Sequence, residues 1–252
     1  MPKVALVTGS SDLEGIGYAT AKALLRTGCD VILTGSREAE KVVPLQEEIY
    51  REFKIRPDYI RADLRNIEDI ERLCSECKRL YPDGIDILVN NAGFSEVFPI
   101  ESYPTDKFND IIAVVLSAPF HLIRLILPDM KGKEWGRIIN ISSVSGERAI
   151  SYMSAYCAAK HGLNGLTKAV AKETAEFGVT CNSIMPGVVK TGLTMKGMAY
   201  LAEIEGVSAE EMGIGDLVVF LCSSSAAQMT GCCIPIDGGN MLNTCSSGNS
   251  RL

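Results

Sequence analysis

Residues 4–17 read Val4-Ala5-Leu6-Val7-Thr8-Gly9-Ser10-Ser11-Asp12-Leu13-Glu14-Gly15-Ile16-Gly17. The first four form a short apolar run that fits a buried strand. Glycines then interrupt it, and from Ile16 to Arg26 the pattern is helical until Gly28 stops it. The order is strand, glycine-rich loop, helix. Gly9, Gly15 and Gly17 let the backbone turn tightly and approach a ligand, while the helix that starts near Ile16 offers free amides and a positive dipole end. A glycine-rich turn alone is weak evidence. Placed directly after the first strand and before a helix, it marks a site for a pyrophosphate.

The same alternation continues along the chain. Strands are expected at Val31–Leu33, Arg56–Ala62, Ile85–Val89, Arg137–Ile141, Val179–Ile184 and Cys233–Ile236. Helices are expected at Glu38–Phe53, with Pro44 blurring its start, at Ile67–Leu80, at Thr105–Met130 with a break or bend near Pro119, at Ala155–Phe177 and at Gly215–Ser223. No Pro/Ser-rich linker separates these repeats. They predict an α/β fold with a single doubly wound parallel sheet and helices on both faces, in one dinucleotide-binding domain over 1–242. The polar, aperiodic stretch Asn243 to Leu252 is expected to be a disordered tail.

Composition narrows the function classes. The 252 residues are 46% apolar and 22% charged with a net charge of −6, which argues against a nucleic-acid partner. The longest apolar stretch, Ile111 to Leu127, contains Pro119, His121 and Arg124, so a spanning helix would bury charge at its middle; no membrane role is expected. The run Val4 to Val7 is too short for a secretory signal, so the expected location is cytoplasmic. Of the nine cysteines, Cys74 and Cys77 fall in a helical pattern and Cys222, Cys232 and Cys233 in apolar or turn surroundings. They read as reduced thiols. With His121 and His161 the only histidines, no metal site is expected.

In a doubly wound sheet, ligands sit beyond the carboxyl ends of the strands. After the strand at Ile85–Val89 come Asn90-Asn91-Ala92-Gly93, small enough for a flat ligand to pass, with amides that can tie strand ends together. Asp63, after the third strand, can accept a bond from an adenine amino group or cap the next helix. After the second strand, Thr34-Gly35-Ser36-Arg37 offers no carboxylate for a ribose 2′-hydroxyl. Arg37 can pair with a 2′-phosphate or stay solvated, while Asp12 and Glu14 bring opposing negative charge. NAD and NADP both stay open.

Thirteen residues after Ser143 stands Tyr156, and four further on Lys160, one turn along the same helix face. An ammonium near a phenol lowers its pKa, so Tyr156 can exchange a proton with a carbonyl or alcohol oxygen that Ser143 orients. A lone Tyr-x-x-x-Lys is usually a solvated helix face; the serine ahead of it, between strand and helix, changes that reading.

With these motifs and Pro186-Gly187 in order, the chain from Lys3 to about Asn240 resembles the short-chain dehydrogenase/reductase family. The resemblance implies a Rossmann-type fold and hydride transfer between NAD or NADP and a small-molecule carbonyl or secondary alcohol. It gives Tyr156 the acid/base role, Ser143 the substrate oxygen and Lys160 the nicotinamide ribose. It also implies dinucleotide contacts at Gly9, Ser11, Gly15, Ile16, Gly17, Arg37, Asp63, Leu64, Asn91, Ala92 and Gly93. Pro186, Gly187, Val189 and Thr191 would line the nicotinamide. Family members form homodimers or homotetramers through long helices, here Thr105–Met130 and Ala155–Phe177.

Within the family, Trp135–Ile141 and Ser154–Gly162 look most like 3-hydroxybutyrate dehydrogenases. Three departures stand out. Val115 occupies the place of a catalytic Asn whose water links the lysine to solvent. Ser95, Ser145 and Met153 stand where that subfamily meets a substrate carboxylate with polar and basic groups, so a neutral substrate fits better. The segment between Gly187 and Gly215 is short, with Met195 to Glu205 as a lid helix whose Met195, Met198 and Leu201 either cover an apolar substrate or simply pack. The alternative to an enzyme is a dinucleotide-binding regulatory or scaffold protein; retention of Ser143, Tyr156 and Lys160 together favours the enzyme.

Overall fold

A computed structural model describes residues 2–190, 207–208, 213–239 and 241. Its main sheet is built from β1 (Val4–Thr8), β2 (Asp30–Gly35), β3 (Asp58–Arg61), β4 (Ile87–Asn90), β5 (Gly136–Ile141), β6 (Val179–Pro186) and, further along, β9 (Cys233–Ile236). Two short strands, β7 (Val189–Lys190) and β8 (Val207–Ser208), pair with each other in a parallel ribbon that nothing in the sequence pattern announces. The seven strands of the main sheet are parallel in the order β3-β2-β1-β4-β5-β6-β9, a Rossmann-type doubly wound sheet.

Each strand in such a sheet is buried on both faces, which is why the strands read as continuous apolar runs. β1 shows how it works. Ala5 and Val7 join Val31, Leu33 and Val89 in one core, whereas Val4 and Leu6 join Ile32, Leu88 and Ile138 in the other. Helices α1 (Ile16–Arg26) and α2 (Val43–Phe53) cover the first face, through Leu24 and Ile49 among others. Helices α3 (Ile67–Leu80), α5 (Ala118–Gly132) and α6 (Ser154–Thr174) cover the second through Leu73, Leu122, Met130 and Val170. Among the described residues a further helix, α7 (Ile214–Cys222), returns to the first face and packs on α1, where a Cβ on Gly215 would come within 2.9 Å of Ala23.

The expected and observed elements differ in instructive places. Glu38–Phe53 is split into a 3₁₀ turn at Ala39–Lys41 and α2, with Pro44 in its first turn where its missing N–H costs nothing. β3 starts only at Asp58, after Pro57, which cannot donate to the ladder. The long helix is not broken at Pro119. It runs as α4 (Thr105–Ile112), a π turn at Ala113–Ser117, and α5, with Pro119 in the first turn of α5. The proline cannot donate to the carbonyl of Val115 and its ring would clash there, so the backbone widens ahead of it. Thr105–Gly132 is long and apolar enough to cross a membrane, yet Ile111, Val115, Leu122 and Met130 along it are 0–1% exposed within the core. The expected lid helix Met195–Glu205 and the tail 243–252 lie outside the described residues.

Strand order fixes where a ligand can sit. From β1 the chain winds toward β2 and β3; from β4 it winds the other way. The crossovers therefore part between the carboxyl ends of β1 and β4, leaving a crevice.

Candidate active site

The two sides of that crevice are stitched together by short polar side chains. Thr8 Oγ1 accepts the backbone N–H groups of Asn91 and Ala92, each at 2.9 Å, and Asn91 Nδ2 donates to the carbonyls of Thr8 at 2.7 Å and Gly9 at 3.1 Å. Deeper in, Asn90 Nδ2 donates to Asn140 Oδ1 and Asn140 Nδ2 to Thr167 Oγ1, both at 2.8 Å. Gly9 sits at φ +63°, and a Cβ on it would lie 2.8 Å from Ala92 Cα. The glycine is demanded by the close approach of two loops as much as by any ligand.

Above this floor lies a cleft of about 580 Å³. Among the residues expected to bind a dinucleotide, Gly9, Ser11, Gly15, Ile16, Arg37, Asp63, Leu64, Asn91, Ala92, Gly93, Gly187 and Val189 line it. Two do not. A Cβ on Gly17 would stand 2.6 Å from both Gly9 O and Asn91 Nδ2, so Gly17 lets α1 close onto the loop, not onto a ligand. Pro186 ends β6, paired with Ile236, and carries Gly187 to the rim. Thr191 lies outside the described residues. No side chain caps α1, whose N-cap is Gly15, so its first amides stay available to a phosphate. Together with a floor of glycine and alanine, this fits a dinucleotide.

Asp63 lines the cleft but does not cap the next helix. Its carboxylate accepts the Arg65 guanidinium at 2.6 Å and the Arg65 amide at 3.1 Å, and α3 begins after Asn66 without a side-chain cap. Arg65 holds the Asp63 carboxyl below its ordinary pKa. Arg37, about half exposed, reaches back across the cleft mouth to Ser11 O at 2.8 Å and Asp12 Oδ2 at 3.0 Å.

At the other end, β5 delivers Ser143 in extended backbone, with Oγ accepting the Ser145 amide at 3.1 Å. α6 carries Tyr156 and Lys160 toward it. The Tyr156 hydroxyl hydrogen-bonds Ser143, and Lys160, buried, donates from Nζ to Ile141 O at 2.6 Å. The Lys160 ammonium lies 5.4 Å from the Tyr156 ring centroid. All three residues line the cleft. Burial pushes the Tyr156 phenol up to about 12, against the lowering effect of its bond to Ser143. That reverses the expected lowering by Lys160: burial pulls the lysine itself down to about 7, so at neutral pH it carries only part of a charge.

The three expected substrate contacts, Ser95, Ser145 and Met153, meet here beside Phe94, Val144 and Ile150, which no sequence motif flagged. Among the described residues lining this end, Lys160 is the one cation. Val115, 1% exposed, packs where a Cβ on Gly93 would meet its Cγ2 at 3.5 Å and Lys160 Nζ at 3.8 Å, while its neighbour Val114 lines the cleft. The lysine's surroundings on this side are therefore apolar.

The family model for short chain dehydrogenases matches residues 3–200. D-beta-hydroxybutyrate dehydrogenase of Cupriavidus necator is 41% identical, the alignment covering 94% of this chain and 97% of that protein. The enzyme of the same name from Rhizobium meliloti is 38% identical over 95% of this chain and 98% of its own length. A solved structure from Bacillus thuringiensis, described as a 3-oxoacyl-reductase, superposes with a TM-score of 0.82 at 31% identity, covering 94% of this chain and 98% of that one.

Proposed function

The chain belongs to the short chain dehydrogenase family, and on that premise we propose that Tyr156, Ser143 and Lys160 carry out its chemistry on a neutral ketone or secondary alcohol. It is an NAD(P)-dependent oxidoreductase acting on a small molecule. Its relatives are named as dehydrogenases and reductases, and none supports a regulatory or scaffold role. The observation that carries the assignment is the contact between Tyr156 and Ser143, with Lys160 one turn away, on the wall of a cleft whose far end is the glycine loop.

The nicotinamide ring supplies or accepts a hydride when bound. The protein does the rest. Ser143 Oγ donates a hydrogen bond to the substrate oxygen and fixes its distance from Tyr156. Tyr156 gives that oxygen its proton in reduction and takes it in oxidation. A phenol held near 12 is rarely ionised at neutral pH, so the oxidative direction needs the charge of Lys160, 5.4 Å from the ring, to favour the phenolate that takes the proton. Gly187, Val188 and Val189 close the nicotinamide side with apolar surface and exclude water.

The relatives named for D-beta-hydroxybutyrate act on a charged substrate, which points to acetoacetate as one candidate. The lining argues the other way, because Ser95, Ser145 and Met153 offer a carboxylate no cation and burying it uncompensated is costly. The two readings separate in a panel of ketones assayed with the reduced cofactor. Turnover on neutral ketones well above that on acetoacetate supports the proposal; the reverse order, or turnover on none, contradicts it.

Self-association as a homodimer or homotetramer is part of the same reading, supported by Phe108 on α4 and Phe120 on α5, 41% and 48% exposed. The described cysteines are free thiols, which suits a cytoplasmic enzyme. The dinucleotide is NAD or NADP, and the choice falls on the groups around Arg37.

A further inference from the structure

Resting on the reading of the cleft as a dinucleotide site, the loop between β1 and α1 adds a carboxylate where β2 supplies none. Ser11 lies over the end of β2, so close that a Cβ on Gly35 would come within 2.5 Å of Ser11 Oγ, and the Ser10 amide donates to Thr34 O at 3.2 Å. Tyr59 braces the same strand end, donating to Gly35 O at 2.9 Å and Arg37 O at 2.6 Å. From there Arg37 reaches back to the loop and grips Ser11 O and one oxygen of Asp12. The other Asp12 oxygen meets the Glu14 amide only at 3.4 Å. Asp12 and Arg37 both line the cleft beside Ser36.

The chemistry at this spot separates two ligands. A ribose 2′-hydroxyl asks for a carboxylate acceptor, and a 2′-phosphate asks for an uncompensated cation. Every arginine described around the strand ends here is already matched: Arg37 with Asp12 at 3.0 Å, Arg61 with Glu38 at 3.1 Å and Arg65 with Asp63 at 2.6 Å. A phosphate on Arg37 would have to displace, or lie against, the Asp12 carboxylate. A hydroxyl can donate to that carboxylate while Arg37 keeps it in place. We propose that Asp12, oriented by Arg37, receives the adenosine ribose hydroxyls and makes this enzyme select NAD over NADP.

The pair is about half exposed at both partners and contributes little to the fold, so removing its charge leaves the scaffold intact. NADH and NADPH are titrated by nicotinamide fluorescence against the wild-type chain and Asp12→Asn, with thermal melting of both as a control. The wild type is expected to bind NADH at least tenfold more tightly. In Asp12→Asn, NADH binding weakens about tenfold and NADPH binding strengthens, with the melting midpoint unchanged. A wild type that prefers NADPH, or a variant in which both dinucleotides bind with the original ratio, overturns the assignment of Asp12 alone. Binding of neither dinucleotide to the wild type overturns the site reading and this assignment with it.

Discussion

Lys160 Nζ donates to the main-chain carbonyl of Ile141 across 2.6 Å, anchoring the middle of α6 to the end of β5 beneath the cleft. The bond holds the lysine against the cleft wall whether or not it is charged, and burial lowers its pKa from 10.5 to about 7.

The stability of the protein should therefore depend on pH through this residue. Between about 7 and 10.5 the unfolded chain carries a proton on Lys160 that the folded chain lacks, so stability rises with pH across that window and is flat below it. Above 10 the sign reverses for Tyr156, which ionises in the unfolded chain before it does in the fold. Denaturant unfolding of the wild type and Lys160→Met from pH 7 to 10 isolates the first effect. The wild-type curve should climb relative to the variant by up to about 1.4 kcal/mol per pH unit. Parallel curves would show that Lys160 is not held neutral by burial.

Val115 makes a second prediction. Buried beside Gly93, it stands where the family resemblance expects a proton-relay Asn. Val115→Asn should raise kcat about tenfold with KM little changed, because a relay group serves proton transfer and not substrate binding. The same change buries an amide in a core site and should lower unfolding free energy by about 1–3 kcal/mol. Steady-state kinetics beside chemical denaturation measure both; a variant that is less stable and no faster would show that the relay does not limit turnover.

Much of the fold is legible in the sequence. The helices at Ile16–Arg26 and Ile67–Leu80 and the strand at Cys233–Ile236 stand where hydrophobic period and glycine stops put them, because nothing tertiary competes with those signals. Other features depend on distant partners. The sequence pattern puts a break or bend near Pro119, and the fold realises it as a π turn over Ala113–Ser117, just ahead of the proline. Gly17 and Pro186 carry family motifs, but their immediate neighbours are Asn91 and Ile236, which only the fold brings near. The direction of the Tyr156 shift does not follow from Lys160 alone, since burial of the phenol is invisible in a spacing rule. Asp12 is visible in the sequence only as charge, because its ion pair with Arg37 spans the gap between two loops.

The exposed rings of α4 and α5 yield a prediction on assembly. Phe120, 48% exposed and edge-on to His121 at 5.3 Å, presents a large apolar ring at the surface. If the surface self-associates, Phe120→Asp should convert the wild-type homo-oligomer to a smaller species in light scattering, with the fold preserved by circular dichroism. A wild type that is monomeric at micromolar concentration would contradict the proposed homodimer or homotetramer.

The most direct test of the account is Tyr156→Phe, measured by turnover and by dinucleotide titration on the same preparation. The substitution removes one oxygen beside Ser143 and leaves the ring packed against the cluster of Ile111, Val115, Ala155 and Ala159. Turnover should fall by roughly 10³-fold or more, the scale expected when the group that moves the proton is lost, while the Kd for the preferred dinucleotide changes by no more than about threefold. Turnover within about tenfold of wild type would mean that the proton travels by another group, and the assignment of Tyr156 would fall.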